Sequence, residues 1–179
     1  VYLESNKNSS MLNWKSKSEN KIGYFNIELI KPVSPLFFDD KRKAICVLAA
    51  ASILKILLPE RQINKQIFFS FEKLINQLNY DDWIKSYIFW ELFLIKELGF
   101  EINIFDKKGL NNTFNNTIEI NSKNFTIPNI LLEQKKKNIS QAEIKEALIF
   151  NKDLLMNNFI EPYSLRFPLS RNILEKYYN

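Results

Sequence analysis

The chain has 179 residues, with 25 Lys and Arg against 20 Asp and Glu and a net charge of +5. That length fits one ordinary domain, or one domain plus part of another. Apolar residues make up 46% and aromatics 14%, enough for a packed core, so the chain reads as globular and not disordered. Histidine is absent, which removes Ser-His and Cys-His nucleophile pairs and every His-ligated metal site. Cys46 is the single cysteine, so a disulfide framework or a four-cysteine zinc site within the chain is excluded. The three glycines, Gly23, Gly99 and Gly109, cannot build a phosphate-cradling loop.

The first elements are strand-like. MLNWKSK at 11–17 and YFNIELI at 24–30 alternate in polarity around a polar SENK turn, the pattern of a hairpin. About thirty residues cannot bury a sheet of their own, so this stretch is expected to be part of a barrel or sandwich. KPVSP at 31–35 reads as a linker, since its two prolines oppose both helix and central strand.

Helix dominates from Asp39. Asp39 and Asp40 can cap a helix running to about Leu58, where Pro59 stops it, and the Ala run at 49–51 offers a smooth face for a close neighbour. A second helix is predicted over about 65–78, with Ile67, Phe68, Phe71, Leu74, Ile75 and Leu78 at core spacing. A third starts after Asp81 and Asp82, which capping explains, and ends at Gly99, a left-handed C′ position. Its apolar residues nearly encircle it, so it is expected at the centre of the bundle. Trp83, Tyr87, Trp90, Leu94 and Leu98 read as core, and Glu91 among them needs a buried partner or a route to solvent.

Between 100 and 131 the pattern turns to short strands around an Asn-rich turn. Ser140 to Glu143 is a capping box opening a helix to about Asn158, and a last short helix follows Pro168. The longest uncharged apolar run, Ala44 to Leu54, is too short for a bilayer span. With no signal pattern, a cytoplasmic protein is the expectation. The first residue is Val1 rather than Met, and we expect the chain to begin inside a longer protein.

Charge divides as +2 over residues 1–31, zero over 32–105 and +3 over 106–179. Positive excess at both ends is compatible with phosphate contacts and equally with scattered surface lysines. Lys15, Lys17 and Lys21 lie on or beside the first hairpin. Alternation puts Lys15 and Lys17 on one face, where they could meet a nucleic-acid backbone or only solvent. Trp14 beside them reads as core. Lys41, Arg42 and Lys43 occupy a helix first turn, where cations oppose the dipole; that placement hints at an anionic partner, unless Asp39 and Asp40 neutralise it. Lys135, Lys136 and Lys137 read as a solvated loop.

Four segments together resemble the bacterial RecO family of recombination mediators. They are WKSKSENKIGYF at 14–25, ILLPER at 56–61, WELFLIKELGF at 90–100 and ALIFNKDLLMNNFIEPYSLRFPLSRNIL at 147–174. ILLPER is similar to the corresponding helix end of alphaproteobacterial members. The resemblance implies an α+β chain. Residues 1–31 would be the incomplete C-terminal part of an OB-fold domain. Residues 32–179 would be a helical RecO-like domain, with short strands near 100–130.

The same resemblance implies a DNA repair and recombination mediator of the RecF pathway rather than an enzyme. It would bind single- and double-stranded DNA and anneal strands. It would also bind the acidic tail of single-stranded DNA-binding protein (SSB) and, with RecR, help RecA onto DNA. Lys15, Lys17, Lys21, Lys41, Arg42 and Lys43 become DNA-binding candidates. Lys85 and Phe89 become SSB-tail candidates, with Phe89 standing where related sequences often have Arg. Some members carry a four-cysteine zinc site, but Lys107 stands near where its first cysteine would fall, so neither metal nor cofactor is expected. Arg171, beside the last helix start, reads as a structural contact or a cap-region charge rather than a DNA contact. The competing readings are a protein-interaction scaffold that binds no nucleic acid, and a carboxylate hydrolase needing two acids face to face in a pocket.

Overall fold

The computed structural model describes residues 10–15, 23–29, 34–59, 62–100, 117–120, 123–132 and 138–178. The chain forms two compact units, Val1–Ala44 and Ile45–Asn179.

In the first unit, β1 (Ser10–Lys15) pairs antiparallel with β2 (Tyr24–Leu29), in the register Leu12 to Ile27, Trp14 to Phe25 and Lys15 to Tyr24. The hairpin expected from the alternation is therefore present as a two-stranded sheet. A 3₁₀ turn over Ser34–Phe37 follows. Helix α1 spans Lys41–Leu57. Asp40 Oδ1 accepts the N–H groups of Arg42 and Lys43 at 3.0 and 3.2 Å, satisfying two donors that a helix start leaves open.

The second unit is a helical bundle. Helix α2 (Lys65–Gln77) packs on α3 (Trp83–Glu97), α3 on α5 (Gln141–Leu155), and α5 on α4 (Asn129–Leu132) and α6 (Leu169–Lys176). Ala49 and Ala50 are fully buried, as the small-residue run suggests. As expected of a central helix, α3 buries nine residues, including Trp83, Tyr87, Trp90 and Leu94. Each buried large apolar side chain contributes roughly 1.5–3 kcal/mol of transfer free energy.

Helix ends follow local chemistry. At α3, Phe100 N–H donates to Ile95 C=O and Gly99 N–H to Lys96 C=O, with Gly99 at φ 94°. This is a Schellman closure with glycine in its left-handed position. Ser140 caps α5 reciprocally with Glu143. Helix α5 continues into a π-helical turn over Met156–Ile160. There Leu165 N–H donates to Ile160 C=O and Ser164 N–H to Glu161 C=O, repeating the Schellman pattern with Ser164 at φ 52°.

The expected strands near 100–130 are partly described. β3 (Thr117–Ile120) pairs antiparallel with β4 (Lys123–Thr126), whereas the EINIF segment lies outside the described residues. Between 100 and 131 the sequence carries no helix signal, yet one turn, α4, forms directly after Pro128. Pro128 C=O accepts the Leu131 N–H, and burial of Ile130 and Leu131 outweighs the poor local propensity. Phe68 also departs from expectation. It is 46% exposed, because the buried stripe of α2 runs through Ile67, Leu74 and Ile75 and turns Phe68 outward.

Candidate functional site

A groove of about 880 Å³ runs between α2 and α3. Its α2 wall is Phe69, Lys73 and Gln77, with Gln66 and Ser70 alongside. Residues at i, i+4 and i+8 share one helix face. Its α3 wall is Asp82, Lys85, Phe89 and Phe93, again at spacings of three and four. One helix face from each side thus supplies aromatic rings with a lysine among them. Phe69 is 61% exposed, too large an exposure for a ring that contributes to the core.

The floor is held by a polar clasp. Trp90 Nε1 donates to Ser70 Oγ at 3.2 Å, and Ser70 Oγ donates to Ile67 C=O at 2.7 Å. Trp90 makes tilted ring contacts with Phe71 and Tyr87, with centroids 6.0 and 5.9 Å away. These interactions fix the separation of α2 and α3, and so the width of the groove.

Beneath the clasp lies an ion-pair network. Arg171 Nε donates to Glu91 Oε1 at 2.6 Å and Nη2 to Glu91 Oε2 at 3.2 Å, and both side chains are completely buried. Nη2 also donates to Leu148 C=O at 2.7 Å. Tyr87 Oη donates to Glu91 Oε1 at 2.7 Å, and Asn151 Nδ2 donates to Ile88 C=O and Glu91 Oε2 at 2.9 and 3.1 Å. Glu91 has the buried partner its setting demands, and Arg171 is the structural contact the sequence suggests.

The network shapes proton affinities. Burial pushes the Tyr87 hydroxyl well above its usual range, with the Glu91 carboxylate adding to the shift. Burial and Glu91 do the same to the Cys46 thiol. For Arg171, burial works against the charge, but Glu91 outweighs it and the guanidinium holds its proton more firmly than usual.

Of the sequence-predicted site residues, the structure brings Lys85 and Phe89 together, one turn apart in this groove. Lys15 is exposed on β1. Lys17 and Lys21 lie outside the described residues. Lys41 and Arg42 are exposed in the first turn of α1, while Lys43 Nζ stands 3.8 Å from Asp40 Oδ2, so Asp40 offsets part of that basic cluster. Asp82 occupies the N-cap position of α3 without a side-chain cap hydrogen bond, so capping does not account for it as the sequence suggested; it lines the groove instead. Phe69, Lys73 and Phe93 carry no distinguishing mark in the sequence beyond the helical spacing of 69, 73 and 77, which places those three on one face.

Fold and groove together give a helical bundle with aromatic and cationic side chains lining an open groove above a buried polar network. Residues 39–117 match the family model described as Recombination protein O C terminal. The DNA repair protein RecO of Ehrlichia chaffeensis is 32% identical over 112 residues, covering 62% of this chain and 46% of that protein. RecO of a Wolbachia strain from Drosophila simulans is 30% identical over 93 residues (51% and 39%). RecO of Orientia tsutsugamushi is 26% identical over 111 residues (62% and 46%). The matches span less than half the length of these relatives. No solved structure matches. Over these stretches the chain is similar to RecO proteins, and the family-model match, which covers less than half of the chain, is to their C-terminal part. Among the described residues, no helix is long and apolar enough to cross a membrane.

Proposed function

We propose that this chain acts in DNA repair and recombination as a mediator that works by binding and not by catalysis. In this reading it holds single- and double-stranded DNA, promotes annealing and, with RecR, helps RecA onto DNA coated by SSB. The acidic SSB tail lies in the α2–α3 groove, its carboxylates near Lys73 and Lys85 and its apolar side chains against Phe69, Phe89 and Phe93. DNA phosphates are met by Lys15, Lys17 and Lys21, with Lys41, Arg42 and Lys43 behind them.

The observation that carries this reading is the groove itself. It puts two lysines and three phenylalanines on one open surface, with Asp82 the single carboxylate on its walls among the described residues. The exposed ring of Phe69 and the half-buried rings of Phe89 and Phe93, beside cations, suit a peptide that is both acidic and apolar. The test is fluorescence anisotropy with a labelled peptide copied from the SSB tail of the same organism. Lys73→Glu and Lys85→Glu together should weaken binding at least about tenfold, as expected when charge-assisted contacts become repulsive. Unchanged affinity would remove the groove from the function.

The scaffold reading, with no nucleic acid, is favoured by one observation: Asp40 partly neutralises the basic turn of α1. Labelled single-stranded DNA titrated at two salt concentrations separates the two, because phosphate binding must weaken as salt rises.

A further inference from the structure

Another cleft, of about 480 Å³, lies between strand β4 with its following turn and helix α5. One wall is the continuous stretch from Asn124 to Asn129, and the other is the α5 face carrying Glu146, Ile149, Phe150 and Asp153. We propose that this cleft docks an extended basic segment of a partner protein, in which two Lys or Arg side chains flank an apolar one.

The charge pattern carries the inference. In a chain of net charge +5, the ionisable side chains lining this cleft among the described residues are both carboxylates, Glu146 and Asp153. Nearby cations are already engaged. Lys152 Nζ pairs with Glu175 at 3.5 Å, and Lys123 Nζ donates to Asn157 Oδ1 at 2.6 Å. Among the described residues, no ion pair to Glu146 or Asp153 is formed. Burial raises the Asp153 pKa, with Glu175 adding to the rise and Lys152 and Lys123 opposing it; a carboxylate so placed gains from an incoming cation.

Geometry sets the spacing. Glu146 and Asp153 are seven residues apart on α5, about 10 Å along the axis. Ile149 lies between them and is 38% exposed. An extended chain advances roughly 3.3 Å per residue and presents alternate side chains to one face. A basic, spacer, apolar, spacer, basic segment therefore sets its apolar residue over Ile149 and its cations within reach of the two carboxylates. β4 pairs with β3 on one side. Among the described residues no strand pairs with its other edge, where an extended peptide can add main-chain hydrogen bonds.

The probe is a fluorescein-labelled peptide, Gly-Lys-Thr-Val-Thr-Lys-Gly, titrated into the intact protein and followed by anisotropy. Saturable binding is expected, with at least about fivefold weaker affinity in the Glu146→Gln/Asp153→Asn variant as two charge-assisted contacts weaken. These substitutions keep side-chain shape, and an unchanged circular dichroism spectrum confirms the fold. A control peptide with both Lys replaced by Glu should fail to bind, and Phe89→Ala in the separate α2–α3 groove should leave binding unchanged. Absent binding, or equal affinity in the neutralised variant, overturns the proposal. Displacement by spermidine as readily as by unlabelled peptide also overturns it, by assigning the cleft to small cations.

Discussion

Arg171 and Glu91 are 80 residues apart in sequence and meet through two hydrogen bonds, at 2.6 and 3.2 Å, with neither side chain exposed. The pair ties α6 to α3, and Leu148 C=O and Asn151 bring α5 into the same network. Removing one partner leaves an uncompensated charge in the core. Arg171→Met should cost about 3–5 kcal/mol, whereas Glu91→Leu combined with Arg171→Met should recover most of that deficit. Urea denaturation of both single variants and the double variant measures the coupling; additive effects would deny it.

Stability should also fall in alkali. Tyr87 and Cys46 both have folded-state pKa values raised by burial and by Glu91. Their contribution is fully present below the unfolded pKa values, about 8.5 for Cys and 10 for Tyr. It is lost as pH rises from there through the raised folded values, at about 1.4 kcal/mol per pH unit for each proton. Urea midpoints between about pH 7.5 and 10.5 should decline, and Cys46→Ala should delay the onset of the decline. A flat profile would contradict the buried network.

The two Schellman closures make opposite predictions. Gly99 has φ 94°, and a Cβ there would meet nothing within 4 Å. Gly99→Ala therefore tests backbone strain alone and should destabilise by about 1–2 kcal/mol. Ser164 sits at φ 52° and already bears a Cβ in the left-handed region, so Ser164→Gly should be stabilising by several tenths of a kcal/mol. Thermal denaturation decides both signs.

For the hairpin, Lys15, Lys17 and Lys21 converted together to Glu should weaken DNA binding and flatten its salt dependence. The slope should change by roughly 0.7–0.9 for each phosphate that is no longer neutralised. An unaltered affinity and slope would assign these lysines to solvent.

Local chemistry made part of this fold legible in the sequence. Gly99, the Ser140–Glu143 box and the apolar encirclement of α3 each announce themselves, and each is found in the fold. Glu91 announced a need for a partner, but Arg171 could not be paired with it from spacing alone, because only the folded bundle brings α6 to α3. Phe68 and Phe69 are neighbours in one aromatic run. Neither faces the core, at 46% and 61% exposed, because the rotation of α2 against α3, held in part by the Ser70–Trp90 hydrogen bond, turns Ile67, Leu74 and Ile75 inward instead. Ser164 hid its turn because serine carries no left-handed signal. Lys85 and Phe89 were legible as a pair on one face, while Lys73 opposite them emerges only once the two helices are packed.

Hydrogen exchange with the SSB tail peptide bound tests the central claim most directly. Bound peptide should slow amide exchange in α2 and α3, over residues 66–77 and 82–93, and leave α6 unchanged. Protection confined to other elements, or none at saturating peptide, would contradict the assignment of this groove as the seat of recognition.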